Sequence, residues 1–209
     1  APAALNYLQQ NGLVVSSAFK PFTAKIESAS KSFNYGTLVI PVSLQKKDAS
    51  EVYELLQKAQ QKYNVPMYAV NSGYNLKGID LGSGSVRPIK KVKAAMLIGD
   101  GTRSYEAGEV WHLLDTRMNM PISKIPMRNF NRTNWDKYTT LVMVSGRYAL
   151  TKKQQEKIKA WVSKGNTLIS IGTASKWVID KKIVKEKLTG AEKDSLEKDT
   201  TKIVDRKPY

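Results

Sequence analysis

Ala94-Ala95-Met96-Leu97-Ile98-Gly99-Asp100-Gly101-Thr102-Arg103-Ser104 is the stretch from which the architecture is most directly read. Five apolar residues without a polar interruption read as a strand buried on both faces, and the two glycines after it read as a tight turn. Residues 105–118 then place Ala107, Val110, Leu113 and Leu114 at helical spacing, so the spacing predicts a helix with that stripe turned inward. Strand, glycine turn and helix in this order open a crossover unit of a parallel sheet.

The same rhythm continues toward the C-terminus. Ile122-Ser123-Lys124-Ile125 reads as a short strand, and residues 138–144 as a strong one closed by Ser145-Gly146. Thr151 and Gln154 form a capping-box signature, followed by Ile158, Trp161 and Val162 as a buried stripe and by Gly165 as a left-handed helix end. Thr167-Leu168-Ile169-Ser170-Ile171-Gly172 is the last clear strand, with a short helix through Trp177. The segment from Lys181 is polar and weakly periodic, and is expected to lie against the body or a neighbour.

Toward the N-terminus the pattern is looser. An opening amphipathic helix leads to a first strand at Leu13-Val14-Val15, and residues 36–42 (GTLVIPV) read as a second, buried one. Asp48 with Glu51 predicts a helix start with both acids on free N–H groups, and Val52, Leu55, Leu56 and Ala59 share its inner face. Met67-Tyr68-Ala69-Val70 reads as a third strand. Residues 73–88 are rich in Gly and Ser; Leu76, Ile79 and Leu81 favour an ordered crossover loop over a flexible linker. The expected fold is therefore α/β, with an open, mostly parallel, doubly wound sheet of the flavodoxin or Rossmann type. The expected domains are residues 1–89, 90–180 and a polar tail over 181–209.

Composition bounds the chemistry. The 209 residues contain no cysteine, which removes disulfides, thiolate metal sites and a cysteine nucleophile. No run approaches the ~20 apolar residues of a membrane span. The start lacks the charged and apolar regions of a signal peptide and has no initiating methionine, and it reads as part of a longer polypeptide. The net charge is +16, but lysines are spread along the whole chain and aromatic residues do not interleave with them. Residues 181–209 hold nine Lys/Arg against six Asp/Glu, so the excess is not a basic tail. That distribution argues against nucleic acid and for a solvated lysine-rich surface.

In open α/β sheets ligands bind beyond the carboxyl ends of the strands. The candidate cleft is accordingly Gly99, Asp100, Gly101, Ser104, Tyr105, Glu106 and Glu109, with Gly146, Gly172 and Thr173 from the neighbouring strand ends. A dinucleotide fingerprint would need glycine at 104, where Ser104 stands, and Glu106 and Glu109 would repel a phosphate. The plain structural reading gives Ser104 as helix cap and Glu106 as partner of the helix dipole. His112 is the single histidine, where a zinc site of protein ligands needs about three and a nucleophile couple needs a nucleophile beside it; midway along an amphipathic helix it reads as a histidine making an ordinary hydrogen bond. Asp100, Glu106, Glu109 and Asp115 could supply a carboxylate pair, but their spacing does not force two together. Trp111, Trp161 and Trp177 read as core; Trp135, in a polar run, reads as a surface contact. No cofactor, metal or catalytic residue is assigned.

Several motifs in order carry a resemblance: residues 99–101, Gly108-Glu109-Val110-Trp111-His112-Leu113-Leu114-Asp115, residues 138–146 with Tyr148, Ala160-Trp161-Val162, and residues 167–172. Together with residues 33–42 and 78–83, this pattern resembles the class I glutamine amidotransferase-like domain that follows the peptidase domain in certain large bacterial zinc carboxypeptidases, over about residues 5–180. The resemblance implies an amidotransferase-like core over 90–180. It puts Gly172 where working amidotransferases carry the nucleophilic cysteine. Thr173 and Ser175 are nearby hydroxyls with no downstream histidine. It also implies a noncatalytic accessory domain whose partner is a preceding peptidase domain of the same protein. Its ligand would be a sugar or peptide end, and its location periplasmic or secreted. The alternatives are a hydrolase of that superfamily using the acidic cleft, and a basic polyanion-binding module.

Overall fold

The computed structural model describes residues 2–27 and 29–189. The chain divides into two compact units, one of Ala1–Lys93 with Val110–Ile122 and one of Ala94–Glu109 with Ser123–Tyr209. Among the described residues no helix is long and apolar enough to cross a membrane.

The first unit starts with α1 (Pro2–Gln10), which ends at Gly12 in the left-handed region. There the Leu13 N–H reaches back to the Leu8 carbonyl at 3.0 Å, and both side chains enter one core cluster with Val15, Val52 and Ala59. The strands are β1 (Ser16–Ala18), β2 (Phe22–Ile26), β3 (Ala29–Phe33) and β4 (Leu38–Val39), then β5 (Lys77–Gly78) and β6 (Val86–Pro88) after the helix α2 (Ala49–Tyr63). They form two small sheets, β4-β1-β6 and β3-β2-β5, with antiparallel pairings. Residues 110–122 join this unit through side-chain amides of α1: Asn6 donates to the Met118 carbonyl at 2.9 Å and Gln10 to that of Asn119 at 2.6 Å.

Several expectations for this half are corrected. The parallel arrangement does not extend here. Residues 13–15 form no strand of their own: the Val15 carbonyl accepts from the Ile89 N–H at 2.8 Å, and beside Val14 the Gln45 side chain takes a strand neighbour's place. It accepts from the Val14 N–H at 2.8 Å and donates to the Val14 carbonyl at 2.9 Å. The run at 36–42 gives only β4, half-buried, before a 3-10 turn at Val42–Leu44. Residues 67–70 form no strand. The β2–β3 hairpin is an addition: Phe22 and Ala24 point inward and Phe22 stacks on Phe33 at 4.9 Å.

Local signals fared better. Asp48 accepts from the Glu51 N–H at 2.8 Å, although Glu51 pairs with Lys47 instead of closing the capping box. Asn64 ends α2 with φ +48°. Residues 73–88 are ordered, with Ile79 and Leu81 packed on Ala18, Phe22 and Ala24, while Leu76 is exposed.

The second unit is α/β. Its strands are β7 (Ala94–Ile98), β8 (Ile122–Pro126), β9 (Thr140–Met143) and β10 (Thr167–Ser170), in the order β10-β9-β7-β8, with β10 and β7 both parallel to β9. Its helices are α3 (Ser104–Trp111), α4 (Lys152–Ser163) and α5 (Thr173–Asp180). Apolar side chains of β7 and β9 meet Ile158 and Trp161 of α4 and Ala174 and Val178 of α5 in one core. The Thr151–Gln154 capping box forms in full, and Gly165 takes φ +92° beyond the end of α4.

Two expectations here are corrected. The helix expected over 105–118 is α3 followed by a π-helical stretch, His112–Arg117. Its wider turn moves the stripe out of phase and leaves Leu113 exposed. Trp135 is no surface contact. It is 5% exposed, its indole N–H donates to the Phe130 carbonyl at 3.0 Å, and its own carbonyl accepts from Trp161 Nε1 at 3.1 Å. Of the segment from Lys181, Ile183 is buried beside Val178 and its N–H reaches the Val178 carbonyl at 3.0 Å. Expectations for residues 190–209 lie outside the described residues.

Candidate functional site

The carboxyl ends of β7, β9 and β10 carry the candidate residues. Past β7, Gly99 (φ +120°) and Gly101 (φ +90°) make a tight turn braced by Thr102, whose hydroxyl donates to the Gly99 carbonyl at 2.7 Å. The first helical bond of α3 is accepted by the Arg103 carbonyl, so Ser104 is the first helical residue rather than the cap.

Strand order reverses between β7 and β9, the place where open α/β sheets ordinarily leave a crevice. Here backbone fills it. The Arg103 N–H donates to the Ser145 carbonyl at 2.9 Å, the Arg147 N–H donates to the Gly101 carbonyl at 2.8 Å, and Thr102 and Gly146 form an antiparallel bridge. Both glycines are required by this approach. A Cβ at Gly101 would lie 2.6 Å from the Arg147 carbonyl oxygen, and one at Gly146 would lie 2.7 Å from that of Gly101. The ends of β7 and β9 are thus joined by a miniature ladder.

The bend from β10 into α5 is Gly172, with φ +57° and ψ −127°. Few residues other than glycine hold this conformation. A side chain there would be presented at the carboxyl end of the sheet, but the place its Cβ would take is occupied by the Ser145 hydroxyl oxygen. Ser145 is 4% exposed. Its hydroxyl accepts from the Thr173 N–H at 3.2 Å, at the start of α5, and the Thr173 hydroxyl in turn accepts from the Gly146 N–H at 3.0 Å.

Glu106 completes this network from α3. Its carboxylate accepts from the Ser145 N–H at 2.9 Å. It is held below the ordinary glutamate range, first by the Ser145 hydroxyl, next by the Ser145 backbone N–H, and further by the Arg103 guanidinium at 3.7 Å. Beneath it, Tyr148 donates its buried hydroxyl to the Val144 carbonyl at 2.6 Å. Burial, and after it the Glu106 charge, push that phenol well above its ordinary value.

The structure therefore brings Gly101, Glu106, Gly146, Gly172 and Thr173 into one hydrogen-bonded cluster. Gly99 shapes the turn behind it. Asp100, Ser104, Tyr105 and Glu109 stand outside: all are exposed, Tyr105 by 88%. His112 is exposed on the π-helical stretch and takes no part. Among the described residues no group of three or more His, Asp or Glu side chains converges.

The residue that sequence reading passed over is Ser145, noted only as the end of a strand. Its signal was a hydroxyl followed by glycine after a fully apolar run, the position facing the turn of the next strand. Chemically the cluster is a closed one. The carboxylate caps a loop through one oxygen, with its other oxygen paired to Arg103, and the buried hydroxyl caps a helix. Comparison of the chain with protein-family models, curated proteins and solved structures finds no match in any of the three.

Proposed function

We propose that this chain is a noncatalytic accessory domain of the class I glutamine amidotransferase-like kind, and that it packs beside a zinc carboxypeptidase-like peptidase domain of the same protein. The observation that carries the reading is the Ser145 hydroxyl in the place of a side chain at Gly172. An acyl-transfer enzyme built on a strand-to-helix elbow needs a nucleophile there and a base beside it. This elbow has the backbone of such a site, a glycine in it, and a hydroxyl that would obstruct any side chain. The strand order β8-β7-β9-β10 supports the flavodoxin-like branch of the α/β class, where the first strand lies between the second and third.

Among accessory roles, packing is favoured over ligand binding because backbone closes the reversal point. The sugar or peptide end suggested by the resemblance would meet the ladder between residues 101–103 and 145–147. The rival hydrolase reading requires a carboxylate available to activate water, and Glu106 is engaged by Ser145 and Arg103. A periplasmic or secreted location belongs to the same proposal and rests on the resemblance.

Two measurements test it. Purified chain incubated with glutamine and with chromogenic ester and amide substrates is expected to turn over none of them above the buffer rate. Turnover that disappears in Ser145→Ala or Glu106→Gln would sink the noncatalytic reading. The coding sequence preceding Ala1 is expected to encode a His-x-x-Glu zinc motif, and its absence from the parent gene would remove the peptidase partner.

A further inference from the structure

Aromatic and basic residues that do not interleave along the sequence meet at one end of the first unit's sheet β4-β1-β6. Ala18 and Val86 of that sheet enter the core, so alternation turns Ser17, Phe19 and Arg87 to the outer face. Backbone holds Phe19 there: its N–H donates to the Ser85 carbonyl at 2.8 Å, prolonging the β1–β6 ladder beyond Ala18. On the other side the Ala18 N–H donates to the Thr37 carbonyl at 2.9 Å, and the Ala18 carbonyl accepts from the Gly36 N–H at 2.8 Å. These bonds fasten the turn over residues 34–37, which carries Tyr35 and is closed by the Thr37 hydroxyl donating to the Asn34 carbonyl at 2.6 Å.

The product is a short rank of rings and cations. Phe19 and Tyr35 meet edge to face, with centroids 5.7 Å apart and planes at 87°, and the Arg87 guanidinium carbon lies 5.3 Å from the Phe19 centroid. The Arg87 Nε–H donates to the Gly84 carbonyl at 3.0 Å, which fixes the guanidinium plane while the side chain stays exposed. Lys20, also exposed, follows Phe19. Tyr35 is 66% exposed and Phe19 41%. A contacting pair of exposed rings on a braced backbone, with a cation stacked on one of them, is a surface already ordered for a ligand, so little freedom is lost on binding.

We infer that Phe19, Tyr35 and Arg87 form a subsite for an acidic polysaccharide, with a sugar ring on Tyr35 and a uronate carboxylate on Arg87. A pyranose turns weakly positive C–H groups to the negative face of an aromatic ring. The guanidinium fork matches the two oxygens of a carboxylate, and Lys20 adds positive charge beside it. Phe19 lies between Tyr35 and Arg87 and touches both, so adjacent residues of a uronate chain reach the two contacts. Other polyanions fit less well. A single strand of nucleic acid stacks successive bases on successive rings, but here Arg87 lies over Phe19, and Lys31 lies over Tyr68 at 4.5 Å, which leaves Tyr35 as the chief stacking surface. A lipid surface takes up an apolar face, whereas these exposed rings bear a hydroxyl and a stacked guanidinium. The subsite belongs to the first unit and does not depend on the packing role proposed above.

An NMR titration of the full chain with trigalacturonate tests the subsite. Amide shifts are expected to centre on residues 17–20, 34–37 and 84–87. Tyr35→Ala and Arg87→Gln are each expected to raise the Kd at least ~5-fold, with the remaining spectrum reporting an intact fold. Arg87→Lys keeps the charge but loses the fork, and is expected to weaken binding as well. Lys152→Gln combined with Lys153→Gln removes two exposed charges from α4 and is expected to leave the Kd within about twofold, since charges distant from a ligand are screened. Absence of binding at millimolar trigalacturonate overturns the subsite. So do shifts spread over the lysines of α4 and α5, an equal response to neutral maltotriose, or a loss in the α4 variant as large as that in Arg87→Gln. Tighter binding of a thymidine oligonucleotide or of phosphatidylglycerol vesicles through the same residues would replace the glycan with that partner.

Discussion

Replacing Gly172 with alanine tests the elbow most directly. The backbone at φ +57°, ψ −127° lies in a region that residues with a Cβ occupy at a cost of about 1–3 kcal/mol. The new methyl also meets the Ser145 hydroxyl oxygen, which has to leave. Its departure abandons the bond from the Thr173 N–H, a further ~1 kcal/mol, and frees the Glu106 carboxylate of its strongest partner. The expected loss is about 2–4 kcal/mol. At about 2–4 °C per kcal/mol for a chain of this length, the melting temperature falls by roughly 6–12 °C for a loss near the middle of that range. Trp135, Trp161 and Trp177 all lie in the second unit, so tryptophan fluorescence during urea unfolding follows mainly the unit that holds the elbow.

The double variant with Ser145→Ala separates the two causes. It removes the obstructing oxygen and leaves the residue-145 Cβ at an ordinary 3.5 Å from the new methyl. The double loss should therefore fall short of the sum of the single losses by about 1 kcal/mol, a coupling expected of groups in contact. A Gly172→Ala protein within ~0.5 kcal/mol of the parent refutes the argument about the elbow. Strict additivity would place the whole cost in the backbone and refute the claim that the hydroxyl fills the site.

Other outcomes follow from neighbouring features. Gly101→Ala, at φ +90° and facing the Arg147 carbonyl oxygen, is expected to cost more than 2 kcal/mol by the same fluorescence titration, since a backbone atom cannot swing aside. Because the Glu106 carboxyl is depressed in the folded state, its contribution is complete above the ordinary glutamate value near ~4.3 and is lost as pH falls through the lower folded value. The urea midpoints of the parent and Glu106→Gln should accordingly differ at pH 6 and draw together as the pH is lowered below the ordinary glutamate range. Trp161→Phe removes one of the two bonds to the buried Trp135 carbonyl, which keeps the Tyr138 N–H at 3.0 Å, and the lost hydrogen bond is expected to cost about 0.5–1.5 kcal/mol in the same titration. Gln45→Ala removes the surrogate neighbour of Val14, and should speed exchange of the Val14 amide without changing that of the β9 amides.

What could be read from the sequence was mostly what is decided locally. The Thr151–Gln154 box, the Asp48 cap and the left-handed Gly165 depend on residues a few positions apart, and each is found in place. The strands of the second unit were legible because burial on both faces writes itself as uninterrupted apolar runs. In the first unit pairing partners decide instead. Residues 13–15 and 67–70 have strand-like composition but form no strand, Val14 being held by the Gln45 side chain and Val15 by the Ile89 N–H, while the alternation Phe22-Thr23-Ala24-Lys25-Ile26 went unread beside longer apolar runs. The candidate cleft was legible as strand ends and glycines. Its closure was not, because the Ser145 hydroxyl meets a residue 28 positions away and the ladder from residue 101 to 147 spans 46.

The π-helical stretch at His112–Arg117 makes one part of the chain forgiving. Each turn of that kind holds an extra residue compared with an α-helix, so dropping a single amino acid inside it relaxes the segment to ordinary winding and keeps its two ends aligned. The same excision inside α4 would swing everything beyond it by about 100°, carrying Trp161 away from the Trp135 carbonyl. Variants that differ in length by one position are therefore expected to survive at residues 112–117 and to be lost from α4.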